Sequence, residues 1–174
     1  MPAFFFKALA FITVIFSSTG SAIAGAVDIK SYGHSSLLIK GGGQTVLINP
    51  FKPVGCAEGL PELDNLNADV ILASSELLDE GAKIAKGIFL VKPGSYQIGK
   101  FRFEGFSIPH DRLGGRRYGL ATLWQWRQAG LNFVHMGGTA APLLAQHKIL
   151  LGQPDVLIIA VGGGAKVYDG YEAA

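Results

Sequence analysis

Cysteine is almost missing from this chain: among 174 residues Cys56 stands alone. A single thiol excludes an internal disulfide, and a leader without cysteine excludes a lipoprotein-type anchor, so stability has to come from packing. Cys56 itself, in Val54-Gly55-Cys56-Ala57, is expected to be a small buried apolar residue rather than a nucleophile. Charge is scarce as well. Charged residues make up 16%, and 15 Lys/Arg against 13 Asp/Glu leave a formal +2, which supports no bulk electrostatic case for nucleic acid or a membrane surface. No internal repeat is visible, and the apolar block from Ala8 to Phe16 is shorter than the roughly 20 residues that span a bilayer.

Apolar residues are plentiful. They reach 49%, enough for a real core, and with so little charge the chain is expected to fold as one domain. The first residues stand outside that domain. Met1 to Lys7 carries one positive charge, the apolar block follows, and Ser21-Ala22-Ile23-Ala24 has small residues at the two positions a signal peptidase reads. Cleavage is expected after Ala24, with Ala26 as the second choice. Residues 25–174 would then be the mature domain, exported to the periplasm or another extracytoplasmic compartment, without a stable membrane anchor. Losing Lys7 lowers the formal charge to +1.

Past the leader, strand signals dominate. Val27 to Tyr32 alternates, and Leu37 to Lys40, Gly41-Gly42-Gly43 and Gln44 to Ile48 read as a hairpin. Asn49-Pro50 and Pro53 end it, and residues 51–67 form a loop. Asp69 to Ala73 is a buried strand, Leu77 to Ala85 a short helical candidate, and Ile88 to Val91 a strand. Tyr96 to Ile98 and Phe101 to Ile108 pair through Gly99-Lys100. Strands follow at Leu120 to Trp126 and Leu131 to His135, then a helix over Ala140 to Leu150 that carries an exposed His147, and a buried strand over Val156 to Val161. Trp124 and Trp126 share one strand face and are expected to pack in the core. Tyr171 to Ala174 looks like the start of a helix.

Four stretches set reactive residue types at strand ends, where folds commonly build sites. They are Gly33-His34-Ser35-Ser36, Ser74-Ser75-Glu76-Leu77-Leu78-Asp79-Glu80-Gly81, Pro109-His110-Asp111-Arg112 and His135-Met136-Gly137-Gly138. With the hairpin end Ile48-Asn49-Pro50-Phe51 and the strand Asp155 to Gly163, their order resembles the metallo-β-lactamase fold, in particular metal-dependent hydrolases similar to L-ascorbate 6-phosphate lactonase. The resemblance implies an α/β fold, an αββα sandwich of two mainly antiparallel or mixed sheets that lacks its C-terminal elements. It also implies one or two zinc ions activating water for hydrolysis of a small anionic ester or lactone.

The letters at the ligand places depart from that pattern. Where the family carries Ser-His-x-His-x-Asp-His, its three histidine places hold Ser75, Leu77 and Glu80, and only Asp79 is retained. His135 is kept, Gly138 stands where the bridging aspartate belongs, Asn49 replaces the aspartate at the hairpin end, and the last ligand histidine would lie beyond Ala174. Metal candidates are therefore His135 and Asp79. A rebuilt single-ion site would draw on Asp79, Glu80, His135 and either His34 or His110, with zinc or another divalent cation as cofactor. The alternative is no metal at all, with Leu77 or Leu78 plugging the cavity. Asp79 and Glu80 also have a purely structural reading, as carboxylates at a helix N-terminus.

His110, Asp79 and Glu80 are the candidate catalytic residues. Arg112, Arg116 and Arg117, around Gly114-Gly115, suit a phosphate or carboxylate, and with His34 they are the candidate substrate-binding residues. His110 and Asp111 are adjacent on extended chain and should point apart. Two functions stay open: an altered hydrolase, or a metal-free anion-binding or scaffold module.

Overall fold

The computed structural model describes residues 25–174; the expected leader and its cleavage site lie outside them, apart from Gly25 and Ala26. Among the described residues, ten strands form two five-stranded sheets. The first sheet has the order β1 (Asp28–Gly33), β2 (Ser36–Gly41), β3 (Gln44–Ile48), β4 (Asn67–Leu72) and β5 (Lys86–Leu90). The second runs β10 (Val156–Ile158), β9 (Leu131–His135), β8 (Leu120–Gln128), β7 (Phe101–Pro109) and β6 (Gly94–Ile98). Neighbours are antiparallel except β3–β4, β4–β5 and β9–β10, which are parallel. Both sheets are therefore mixed, as expected, while among the described residues helix is confined to α1 (Ala145–Leu151), α2 (Gly170–Ala173) and a 3-10 turn over Gly55–Ala57.

Strand alternation builds the layers. Odd and even residues of a strand face opposite sides, so Ile39, Val46, Ile48, Val70 and Leu72 of the first sheet meet Phe103, Trp124, Trp126 and Phe133 of the second in one buried cluster. Leu38, Leu47 and Ile71 point the other way, into a second cluster with Tyr32, Ala85 and Phe89. On the far face of the second sheet Ile108, Leu123, Val134 and Met136 are covered by Leu151 and Tyr168. Trp126 stacks on Phe133 with centroids 5.0 Å apart. Gln128 ties the sheets together where apolar contact cannot: its Nε2 donates to the carbonyls of Ile39, Gly41 and Gln44.

Several expectations change. Residues 77–85 are not helical, because their backbone groups find partners in the loop after β3: Lys52 donates to the Leu78 carbonyl and Ala82 donates to that of Pro50. The structural reading of Asp79 and Glu80 as helix-capping carboxylates falls with that helix. Leu78 is 51% exposed and Leu77 half-buried, so neither plugs a cavity. The later helix begins at Ala145, with Pro142 outside it, and His147 on its inner side is buried, its Nδ1 accepting from the Leu144 N–H. The last strand stops at Ile158. Cys56 is exposed, since the 3-10 turn presents it to solvent and buries Ala57 instead.

Candidate functional site

The loops after β1, β3, β4, β7, β9 and β10 gather at one edge of the sandwich around a cavity of about 580 Å³. His34, Ser35, Cys56, Glu80, Tyr118 and Lys166 form its polar part, while Ile159 to Val161 and Val167 supply an apolar wall. The edge is made where strands end and backbone direction changes sharply. His34 and Asn49 both sit at positive φ, 51° and 42°, a conformation uncommon for residues with a side chain and often retained at functional positions.

Those two residues are linked. Asn49 Oδ1 accepts from the Ser74 N–H at 2.8 Å and its Nδ2 donates to Ser35 Oγ at 3.1 Å. Ser35 Oγ lies 3.0 Å from His34 Nδ1. The amide thus braces the β4 loop and the His34 ring together, a task for which asparagine, with one donor and one acceptor end, is suited. Burial lowers the His34 pKa, and the charges of Asp79 and Glu80 offset that only in part.

Asp79 and Glu80 point to different partners. Asp79 Oδ2 accepts from Lys166 Nζ at 2.6 Å and from the Cys56 N–H at 3.1 Å. The pair is nearly buried, with side chains 11% and 8% exposed for Lys166 and Asp79. Burial opposes the Asp79 charge, but the bonds from Lys166 and Cys56 outweigh it and the carboxyl titrates below its ordinary value. Lys166 is the mirror case: burial alone would lower its pKa, and the Asp79 bond with the charges of Glu80 and Asp79 raises it. Both groups stay ionised at neutral pH.

Glu80 turns inward. Its Oε1 accepts from Ser75 Oγ at 2.6 Å and pairs with His110 Nε2, and both side chains of that pair are almost fully buried. Burial again opposes the charge, and the His110 and Ser75 bonds hold the Glu80 carboxyl below its usual range. Its other oxygen, Oε2, lies where a side chain on Gly138 would begin: a Cβ there would come within 2.3 Å of Oε2 and 2.9 Å of His110 Cε1. The Glu80 carboxylate and a side chain at position 138 are mutually exclusive in this geometry. His135, next along, is 1% exposed, and its Nδ1 lacks a partner. Burial lowers its pKa to about 4, Glu80 opposing weakly, so it is a neutral imidazole.

The other candidates are placed elsewhere. Asp111 does not orient His110; its carboxylate accepts from the N–H groups of Leu113, Gly115, Arg117 and Tyr118 and so organises the whole 111–119 loop. Arg112 makes a two-pronged pair with Glu172 of α2. Arg116 and Arg117 are exposed, the latter over the Tyr118 ring at 5.0 Å. None of the three arginines lines the cavity. Lys166 and Cys56, by contrast, stand in it, although neither lies at a strand end that the sequence pattern marks. No local signal marks Lys166: it is 87 residues from Asp79 and only the fold brings them together.

Residues 28–174, nearly the whole described chain, match the beta-lactamase superfamily domain. The chain belongs to this superfamily. Solved structures agree on the fold. A Thermotoga maritima protein described as a zinc-dependent hydrolase of the metallo-β-lactamase superfamily is similar at TM-score 0.65 and 21% identity, over 85% of this chain and 68% of that one. A Parabacteroides distasonis protein described as a metal-dependent hydrolase is similar at TM-score 0.60 and 15% identity, over 82% and 73%, and one from Ignicoccus hospitalis described as a metallo hydrolase at 0.54 and 16%, over 84% and 75%. No curated protein matches the chain in sequence.

Members of this fold with zinc-dependent chemistry raise the question whether this superfamily chain can hold the same centre. The donor set does not fit a dinuclear one. Glu80 and His110 are spent on each other, Lys166 already sits on Asp79, and a side chain at position 138 would require Glu80 to move. Two divalent ions here would also have to displace or face the Lys166 ammonium.

Proposed function

We propose that this superfamily domain binds a small molecule in the 580 Å³ cavity without the dinuclear chemistry of hydrolases on its fold. The observation that carries the reading is the Lys166–Asp79 pair, which puts a fixed protein cation against the carboxylate that the family pattern assigns to metal. Lys166 and His34 supply donors at one end and Ile159 to Val161 with Val167 the apolar wall, the mix typical of ligand pockets. A ligand with a carboxylate, phosphate or carbonyl head and a short apolar body matches that division. Exposed Arg116 and Arg117 lie near the Tyr118 wall and would attract such anions rather than contact them. We further propose that the domain works outside the cytoplasm, after removal of residues 1–24.

The second reading is hydrolysis of a small anionic ester or lactone. Glu80 favours it: the carboxylate is ionised, lines the cavity and is backed by His110, and its Oε2 carries none of the bonds made by Oε1. Such a group can take a proton from water.

Elemental analysis decides between them. After reconstitution with zinc, manganese or iron in turn, the binding reading expects fewer than two equivalents of metal and no turnover of an ester and lactone panel. It also expects a rise in melting temperature with a small carboxylate or phosphate ligand that disappears in Lys166→Met. Two equivalents with turnover that falls in Asp79→Asn would overturn it.

A further inference from the structure

Cys56, His34 and Asp79 share a property that neither reading uses. One donor atom from each, a sulfur, a ring nitrogen and a carboxylate oxygen, lies within 4.8 Å of the other two, and no other His/Cys/Asp/Glu trio among the described residues does this. We propose that these three residues form a new site for a single thiophilic divalent cation, zinc by chemistry, at the polar end of the cavity. The proposal rests on the cavity being the working site of the domain, and it places the ion away from His110 and His135.

Three arguments support it. First, the spacing is right: ligand atoms about 2.0–2.3 Å from a tetrahedral ion stand roughly 3.3–3.8 Å apart, so closing a trio already within 4.8 Å takes side-chain adjustments only. Three protein ligands leave a fourth position for water or for the head of a bound molecule. Second, each donor has a free atom. Both hydrogen bonds to Asp79 fall on Oδ2, leaving Oδ1. Ser35 Oγ can accept from Asn49 and from His34 Nδ1 together; the proton is then on Nδ1 and the remaining ring nitrogen is a bare lone pair. Cys56 is exposed and without a disulfide partner, so its sulfur can turn toward the cavity it lines.

Third, the backbone is built around Asp79. Gly55 has φ +60°, and a Cβ there would stand 3.0 Å from Asp79 Oδ2; the glycine lets the 3-10 turn bring Cys56 against the carboxylate. Lys166 occupies Oδ2, which leaves Oδ1 as the oxygen of Asp79 open to an ion. Thiolate and carboxylate sulfur–oxygen–nitrogen sets favour zinc and cobalt over magnesium or calcium. Binding exchanges the Cys56 thiol proton for the metal, and that proton leaves to solvent.

The test is a cobalt titration of the reduced full chain, followed by zinc. One equivalent of Co²⁺ should give a thiolate-to-cobalt charge-transfer band in the near ultraviolet that one equivalent of Zn²⁺ removes, with about one proton released per ion. Cys56→Ser should abolish the band. His34→Asn, which suits the positive φ, should weaken binding by more than the roughly 10–100-fold that losing an outer partner costs. Lys166→Met should tighten binding, since a like charge is removed. Cys56 is exposed, so unchanged circular dichroism of Cys56→Ser separates a lost site from a lost fold. No band in the parent chain, or a band that survives Cys56→Ser, overturns the proposal. Two equivalents of metal that persist in Cys56→Ser overturn the binding reading instead, so the failures are distinguishable.

Discussion

Acidification should destabilise this domain in a window set by His135. His135 ends β9 opposite Trp124 of β8 and is buried, and burial lowers its pKa from 6.5 to about 4. A depressed histidine is bound to fewer protons in the folded than in the unfolded chain between those values, so stability is full above pH 6.5 and falls as pH drops toward 4. The shift corresponds to about 2 kcal/mol lost by pH 5 and about 3 kcal/mol by pH 4, a large part of a typical domain's margin. His34 adds the same sign, its pKa being lowered too. Asp79 and Glu80 act from the lower end of that window downward, because their depressed carboxyls lose stability as pH falls through the ordinary carboxylate range toward their folded values.

The assay is urea unfolding from pH 7.5 to 4.0 in chelator, comparing the parent with His135→Gln. The glutamine variant is expected to start less stable, since the imidazole is part of the packing, but to lose about 2 kcal/mol less between pH 6.5 and 5. Slope, not starting value, is the readout. Parallel pH curves for the two proteins would refute the reasoning, because they would place the titrating group elsewhere.

Other outcomes follow from single contacts. Gly138→Asp should cost about 1–3 kcal/mol in chemical denaturation because its Cβ meets Glu80 Oε2, and Glu80→Ala should relieve part of that cost in the double variant, giving a non-additive cycle. Gly81→Ala places a Cβ 1.8 Å from the Ser75 carbonyl and should destabilise by about 3 kcal/mol, read as a fall in melting temperature. Lys166→Met strands a nearly buried carboxylate and should cost about 1–3 kcal/mol at pH 7, less than a fully buried pair because the cavity opens to water, with the difference shrinking at pH 3 as Asp79 protonates. Asp111→Asn replaces an acceptor of four N–H bonds by a group with one acceptor end, and limited proteolysis should then cut within residues 112–119 where the parent resists.

The fold was legible where period-two alternation and turn chemistry agree. Leu38-Ile39 and Val46-Leu47-Ile48 separate cleanly onto two faces, and Gly42 and Gly43 take the positive φ their hairpin turn needs. Residues 77–85 misled because Leu78, Ala82 and Ala85 have helical spacing, whereas the backbone there bonds to Lys52 and Pro50, far along the chain. Helical spacing reports a face, not a partner. In the site, Asp79, Glu80, His110 and His34 could be found from strand ends and family pattern. Their pairings could not. Which carboxylate meets Lys166 and which meets His110 depends on loops after β7 and β10 that share no sequence signal with Asp79-Glu80. Cys56 was misjudged for a related reason: a small apolar residue in a glycine loop is usually buried, but the positive φ of Gly55 turns it outward to the cavity rim.

The residues at this edge belong together as one electrostatic solution. Two adjacent carboxylates, Asp79 and Glu80, are held nearly buried at 6% and 2% exposure, and desolvation opposes both charges unless each has a positive or hydrogen-bonding partner. Here Lys166 meets Asp79, while His110 and Ser75 meet Glu80, so the chain satisfies its own carboxylates. Glycine at position 138 then makes physical sense beside the glutamate at position 80, because the Glu80 carboxylate fills the space a residue 138 side chain would need. A carboxylate added at position 138 alone would therefore place a further charge against Glu80 with no partner of its own, so a charged side chain at 138 requires an exchange at Glu80 as well.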